Sequence, residues 1–212
     1  VGFSCLYHLV LAAVSVGDAD YPVTAGKIAA LKILAEHYHD YPDLDTTFRY
    51  LFSGARVPES KIFLRNLITS SRHGYVRANA MYELANYLAL EANLPAMCES
   101  QLAVMDRADP ENAARIEHLE TFTASLKDVA VERNRAEALS LIEQIRNEYQ
   151  NELAPPRVGL RNPGLISVTR SEIDEVLKSK RERIVDRLPA IQFELNHSIG
   201  QKAPPIDGKD AI

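Results

Sequence analysis

Tryptophan is missing from this chain, glycine is held to nine of 212 residues, and cysteine to two. Each shortage removes a class of protein. Glycine-rich phosphate loops are excluded, since neither Gly-x-x-x-x-Gly-Lys nor Gly-x-Gly-x-x-Gly occurs. Cys5 and Cys98 lie too far apart for a Cys-x-x-Cys redox pair or a metal-ligand set by spacing. We read them as buried thiols, with a Cys5–Cys98 disulfide as the alternative. A basic excess is also absent: the net charge of −5 offers no general attraction for phosphate backbones or anionic lipid. The apolar-leaning run Leu6–Val16 is too short to span a bilayer. No Lys or Arg precedes Lys27, so that run reads as a packed first helix rather than a signal-peptide core.

What is present is helical periodicity with punctuation. Pro22, Pro42, Pro58, Pro95 and Pro110 each sit where one periodic segment yields to the next, and Gly17, Gly54 and Gly74 mark further breaks. Ile28, Leu31, Leu34 and Tyr38 give a helix over 23–39. Phe63, Leu64, Leu67 and Ile68 give one over 58–70. Val76, Ala80, Leu84 and Leu88 give a third over 75–91, whose many alanines suit the central packing helix. Asp109-Pro110-Glu111 combines an N-cap, a first-position proline and an acidic first turn. The helix it starts should turn Ile116, Leu119, Phe122 and Leu126 inward. No Gly or Pro follows until Pro155, so a break is expected near Asp128–Asn134, with Ala138, Ile142, Ile145 and Tyr149 inward after it.

The expected fold class is therefore all-α: an irregular α-solenoid or helical array of antiparallel helix pairs over 1–153, TPR- or HEAT-like but without a strict repeat. Residues 154–168 form a Pro/Gly-rich loop. Thr169-Arg-Ser-Glu172 is a capping box opening a linking helix over 169–197, with Ile173, Leu177, Ile184, Leu188, Ile191 and Leu195 on one stripe. Pro189 should kink or restart it. At Ala203-Pro204 the backbone is forced out of the α region, and Ile206-Asp207-Gly208 opens a strand-and-turn pattern. Residues 198–212 thus read as a short extended tail.

Ile199-Gly200-x-x-Ala203-Pro204-x-Ile206-x-Gly208-x-Asp210 resembles the lead-in of redoxin domains, the thioredoxin-like branch that includes alkyl hydroperoxide reductase/thiol-specific antioxidant proteins. Phe63-Leu64-Arg65, then Arg77-Ala78-x-Ala80-x-x-x-Leu84-Ala85-x-Tyr87-Leu88, and Glu194-Leu195 are similar to the helical region preceding such a domain in some large bacterial proteins. The resemblance implies that 198–212 is the start of a truncated thioredoxin-like domain. It also implies an exported, periplasmic parent that performs thiol–disulfide exchange or peroxide reduction. The redoxin core and its reactive cysteine are not among these residues, so no catalytic residue carries over and no cofactor is expected. The expected partner is a protein or the following redoxin domain itself, with no nucleic acid and no membrane insertion. The alternative is a stand-alone helical-repeat adaptor.

Three other constellations have bland readings that we favour. Glu36-His37-Tyr38-His39-Asp40 with Asp43 and Asp45 suggests a metal site, yet His37 and His39 diverge on a helix, where chelation wants a spacing of three or four. Lys178, Lys180, Arg181, Arg183 and Arg187 share their helix with Asp174, Glu182 and Asp186, which suits a solvated face. Asn79, Tyr82, Glu83 and Asn86 could line a peptide groove beside the central helix, while His73-Gly74 is a turn. No Ser/His/Asp arrangement has a local catalytic signature.

Overall fold

The computed structural model describes residues 2–12, 22–42, 44–51, 57–126, 130–154 and 182–196. Helical conformation accounts for 82% of them, in seven α-helices and with no strand, so the described chain is all-α. The helices are α1 (Phe3–Ala12), α2 (Pro22–His37), α3 (Pro58–Ser70), α4 (Gly74–Val104), α5 (Ala113–Ser125), α6 (Val131–Glu148) and α7 (Leu188–Asn196). Short 3-10 turns occupy Leu44–Tyr50, Pro110–Asn112 and Ile184–Arg187. The loop at 155–168, the capping box at 169–172 and the extended tail at 198–212 lie outside the described residues.

By its internal contacts the chain divides into two compact units, residues 1–85 with 140–188 and residues 86–139 with 189–212. In the first, α1 packs on α2 and on the 3-10 turn at 44–50, and α2 packs on α3. Leu6, Leu31, Leu34, Phe48, Phe63 and Leu64 are buried, with the Phe48 and Phe63 rings edge to face at 6.1 Å. α3 starts where Pro58 says it should, because a first-position proline gives up an N–H that no helix would use. From Val76 to Leu88, only Arg77, Glu83 and Asn86 escape burial. A helix covered all round is a core helix, as its alanines suggested. Ile142 and Ile145 of α6 and Tyr149 just after it are buried at the expected positions.

In α2 the buried face is the expected one only in part: Leu31 and Leu34 turn inward as expected. Thr24, Lys27, Leu31 and Leu34 are buried, while Ile28 is half-buried. The stripe runs through a lysine, so an apolar count points it about one residue off.

The second unit is more sparsely packed. α4 continues through Pro95 to Val104 instead of ending near 91. An interior proline costs about 3 kcal/mol, but Ala92 and Cys98 are buried on either side and hold the helix together. Asp109 accepts a hydrogen bond from Glu111 N at 2.9 Å, making the expected cap of a 3-10 turn that leads into α5. α5 buries only Ile116; Leu119 is half-buried and Phe122 exposed, against the expected inward face. α5 ends at Ser125 and α6 starts at Val131, so the break overlaps the expected span and begins a little before it. The linking helix expected over 169–197 is not continuous in its described part. Arg183 forms an isolated antiparallel bridge with Leu153, flanked by hydrogen bonds from Ala154 N to Glu182 O and from Ile184 N to Glu152 O. Residues 184–187 then make a 3-10 turn, and only after it does α7 begin, with Pro189 in its first turn and Ile191 and Leu195 buried.

Candidate functional site

Among the described residues, the turn after α2 gathers two histidines, an aspartate and two tyrosines. α2 ends at His37, and the chain bends through Tyr38, His39, Asp40 and Tyr41, which with His37 line an open depression of about 420 Å³. Phe3 from α1 stacks on Tyr41 at 4.1 Å and meets Tyr38 at 6.0 Å, which fixes the turn from below. From the α3–α4 junction, Arg72 N donates to Asp40 Oδ1 at 2.7 Å. The Nε2 of His73 lies 3.0 Å from the Asp40 carbonyl, and Tyr75 donates to the Pro42 carbonyl at 2.8 Å.

The hydrogen bond from Arg72 N holds the Asp40 carboxyl below the usual carboxylate range, and the charges of Arg72, His39 and His73 act in the same direction. His39 Nε2 is 3.7 Å from Asp40 Oδ2, while His37 pairs loosely with Glu36 at 3.8 Å in open solvent. Asp45 is buried and accepts from Asn79, and Asp43 lies outside the described residues. Among the described residues no group of three or more His, Cys, Asp or Glu is placed to hold a metal. What this turn does chemically is join two helix junctions.

Two further polar joins lie deeper. Lys27 is fully buried, and its Nζ donates to the Leu51 carbonyl at 2.7 Å, which also accepts from Ser60 Oγ at 3.1 Å. Burial alone lowers its pKa from 10.5 to about 8. Sequence periodicity missed this residue; the signal was a lysine at the position where Thr24, Leu31 and Leu34 require an inward side chain. The Asn79 amide reaches Tyr75 O at 2.9 Å, Asp45 Oδ2 at 3.1 Å and Leu153 O at 3.2 Å, so two hydrogens serve three acceptors. Beside it, Arg77 donates to Ser71 O at 2.7 Å and to the Tyr149 hydroxyl at 3.0 Å.

The suggested groove residues Asn79 and Tyr82 are buried, and Glu83 and Asn86 are half-buried, so no open groove is lined by the first two. Cys98 is buried as expected, whereas Cys5 is exposed; both are free thiols. Of the basic run, Arg183 is exposed and forked onto Asp186 at 2.9 and 3.1 Å, an interaction that lowers the Asp186 pKa. Arg187 is instead buried, paired with Glu182 at 2.8 Å, which a fully solvated face does not allow. Lys178, Lys180 and Arg181 lie outside the described residues. No described helix is long and apolar enough to cross a membrane.

Of the helical residues that resemble a redoxin-associated region, Phe63, Leu64, Ala78, Ala80, Leu84 and Leu88 are buried packing residues, whereas Arg65 and Glu194 are exposed. No protein-family model, no curated protein and no solved structure matches this chain.

Proposed function

We propose that these helices are a non-catalytic scaffold and interaction region serving a thioredoxin-like domain that follows Ile212, in a protein that exchanges thiols and disulfides or reduces peroxide. One observation supports the first half of that reading. Among the described residues, the side chains of Lys27, Asp40, His73, Arg77 and Asn79 are committed to hydrogen bonds between segments of the fold, while Cys5 is an exposed free thiol. The second half rests on the Ile199–Asp210 pattern. An irregular α-solenoid of antiparallel pairs and an extracytoplasmic location belong to the same reading.

Two measurements test it. The chain as given is expected to be inert in insulin reduction and in peroxide consumption; turnover that requires Cys5 or Cys98 would move the chemistry into the helices and end the scaffold reading. The coding sequence beyond the Ile212 codon should continue into a strand pattern and then Cys-x-x-Cys or Pro-x-x-x-Thr-x-x-Cys. A stop codon there favours the stand-alone adaptor instead.

A further inference from the structure

The second unit leaves apolar side chains uncovered along one continuous stretch, from the later turns of α4 through α5. Val104 is 82% exposed and Phe122 is exposed, while Met97, Leu102, Met105 and Leu119 are half-buried. The turn between the two helices is fixed by its own bonds. Asn112 Nδ2 donates to Asp106 O at 3.1 Å, and Arg107 pairs with Glu120 at 2.9 Å, which ties α5 to the turn after α4.

Charge narrows what this stretch suits. Residues 86–126 carry seven acidic side chains against two arginines, a net charge of −5, which is the net charge of the entire chain. All other residues together balance. Glu99, Asp106, Glu111, Glu117 and Glu120 are exposed on the same stretch. Such a field repels nucleic acid and anionic lipid, and it opposes a second copy, which would bring the same charge. The described residues include no strand, so among them no sheet edge is offered to an extended peptide, and contact comes through side chains.

We infer that the end of α4 and α5 dock a basic amphipathic helix of a partner protein, its apolar stripe on Val104 and Phe122 and its Lys or Arg flanks on the exposed carboxylates. The inference rests on the interaction role proposed above and gives that role a surface and a partner chemistry; it does not use the redoxin assignment.

The test uses the full chain and a fluorescent helical peptide of about 18 residues, with leucine at i, i+3, i+4 and i+7 and lysine elsewhere. A scrambled peptide of the same composition supplies the same charge without an apolar face. The ordered peptide is expected to bind at least about tenfold more tightly, because its stripe adds to an attraction both share. Equal affinities overturn the inference. Val104→Ser with Phe122→Ser, both exposed positions, should weaken the ordered peptide about tenfold. Glu111→Lys with Glu117→Lys should do the same. Glu143→Lys with Glu148→Lys, at exposed acidic positions of α6 in the first unit, should change Kd less than about twofold. Equal losses from the two charge reversals, or no loss from the serine pair, refute the surface. Should the serine pair fail to fold, Val104→Ser alone decides, and unchanged binding refutes it. A dimer in sedimentation that Phe122→Ser dissociates would make the occupant a second copy and also overturn the inference. Redox turnover, which would end the scaffold reading, is measured without the peptide, so the two readings fail separately.

Discussion

The two units read alike in sequence and differ in packing. Both are built from helices with apolar residues at helical spacing, yet α4 is covered on nearly all sides in the first, whereas α5 in the second buries one side chain. Buried polar joins follow the same division. Lys27, Asp45, Ser60 and Asn79 lie within the first unit, each hydrogen-bonded, while in the second Asn93 uses its amide N–H on Glu194 O and leaves its own Oδ1 without a partner. Periodicity reports that a face is apolar; it does not report how much neighbour the fold supplies to cover it.

The largest test of this contrast is truncation of matched apolar positions. Leu84→Ala is expected to cost about 2–5 kcal/mol, and Phe122→Ala under about 1 kcal/mol, because only the first leaves a cavity. Urea unfolding of both variants measures this; equal losses would break the comparison. Next come the two buried asparagines. Asn79→Ala strips a donor from the buried Asp45 carboxylate and two carbonyls, and about 2–3 kcal/mol should be lost. Asn93→Ala removes one bond along with an atom that has no partner, so its loss should be nearer 1 kcal/mol.

Lys27 sharpens the contrast with an opposite sign. Burial lowers its pKa from 10.5 to about 8. Between those values the unfolded chain holds the proton and the native chain does not, so this group makes stability rise as pH climbs from 8 toward 10.5. At pH 7 the buried charge costs about 3 kcal/mol by that difference, and its bond to Leu51 offsets about 1 kcal/mol. Lys27→Met should therefore stabilise by about 2 kcal/mol at pH 7, with the gain vanishing toward pH 10.5. A gain that does not depend on pH would show that desolvation is not the cause.

The smallest expected effect is at Asp40. Its folded pKa is lowered, so the stability it contributes is present above the ordinary carboxylate pKa and is lost as pH falls through the folded value. Asp40→Asn keeps an acceptor for Arg72 N and removes the titration. Its acid unfolding curve should be flatter than the parent's below the ordinary carboxylate range, and superimposable curves would remove Asp40 from the acid response.

Helix starts were the most legible feature, since Pro58, Asp109-Pro110 and the 128–134 break mark local backbone requirements that tertiary structure has no cause to override. Helix ends were less so. Pro95 reads as a stop because its cost is local, but burial of the flanking residues carries α4 past it. Periodicity could at most place Lys27 on the inward face of α2; it named none of the partners in the joins Asp40–Arg72, Lys27–Leu51 and Asn79–Leu153, which are 24 to 74 residues apart.

By itself, then, the order of residues determined the all-α class of the described chain, most of its helix starts, and the alanine-rich segment that becomes its core, because propensity, capping and spacing act within a few residues. Only the tertiary structure decided which face of α2 turns inward, that a lysine lies on it, and that the chain pins itself at 152–154 and 182–184. Those outcomes depend on desolvation and on hydrogen bonds between distant segments, whose energies exist only once the partners have been brought together.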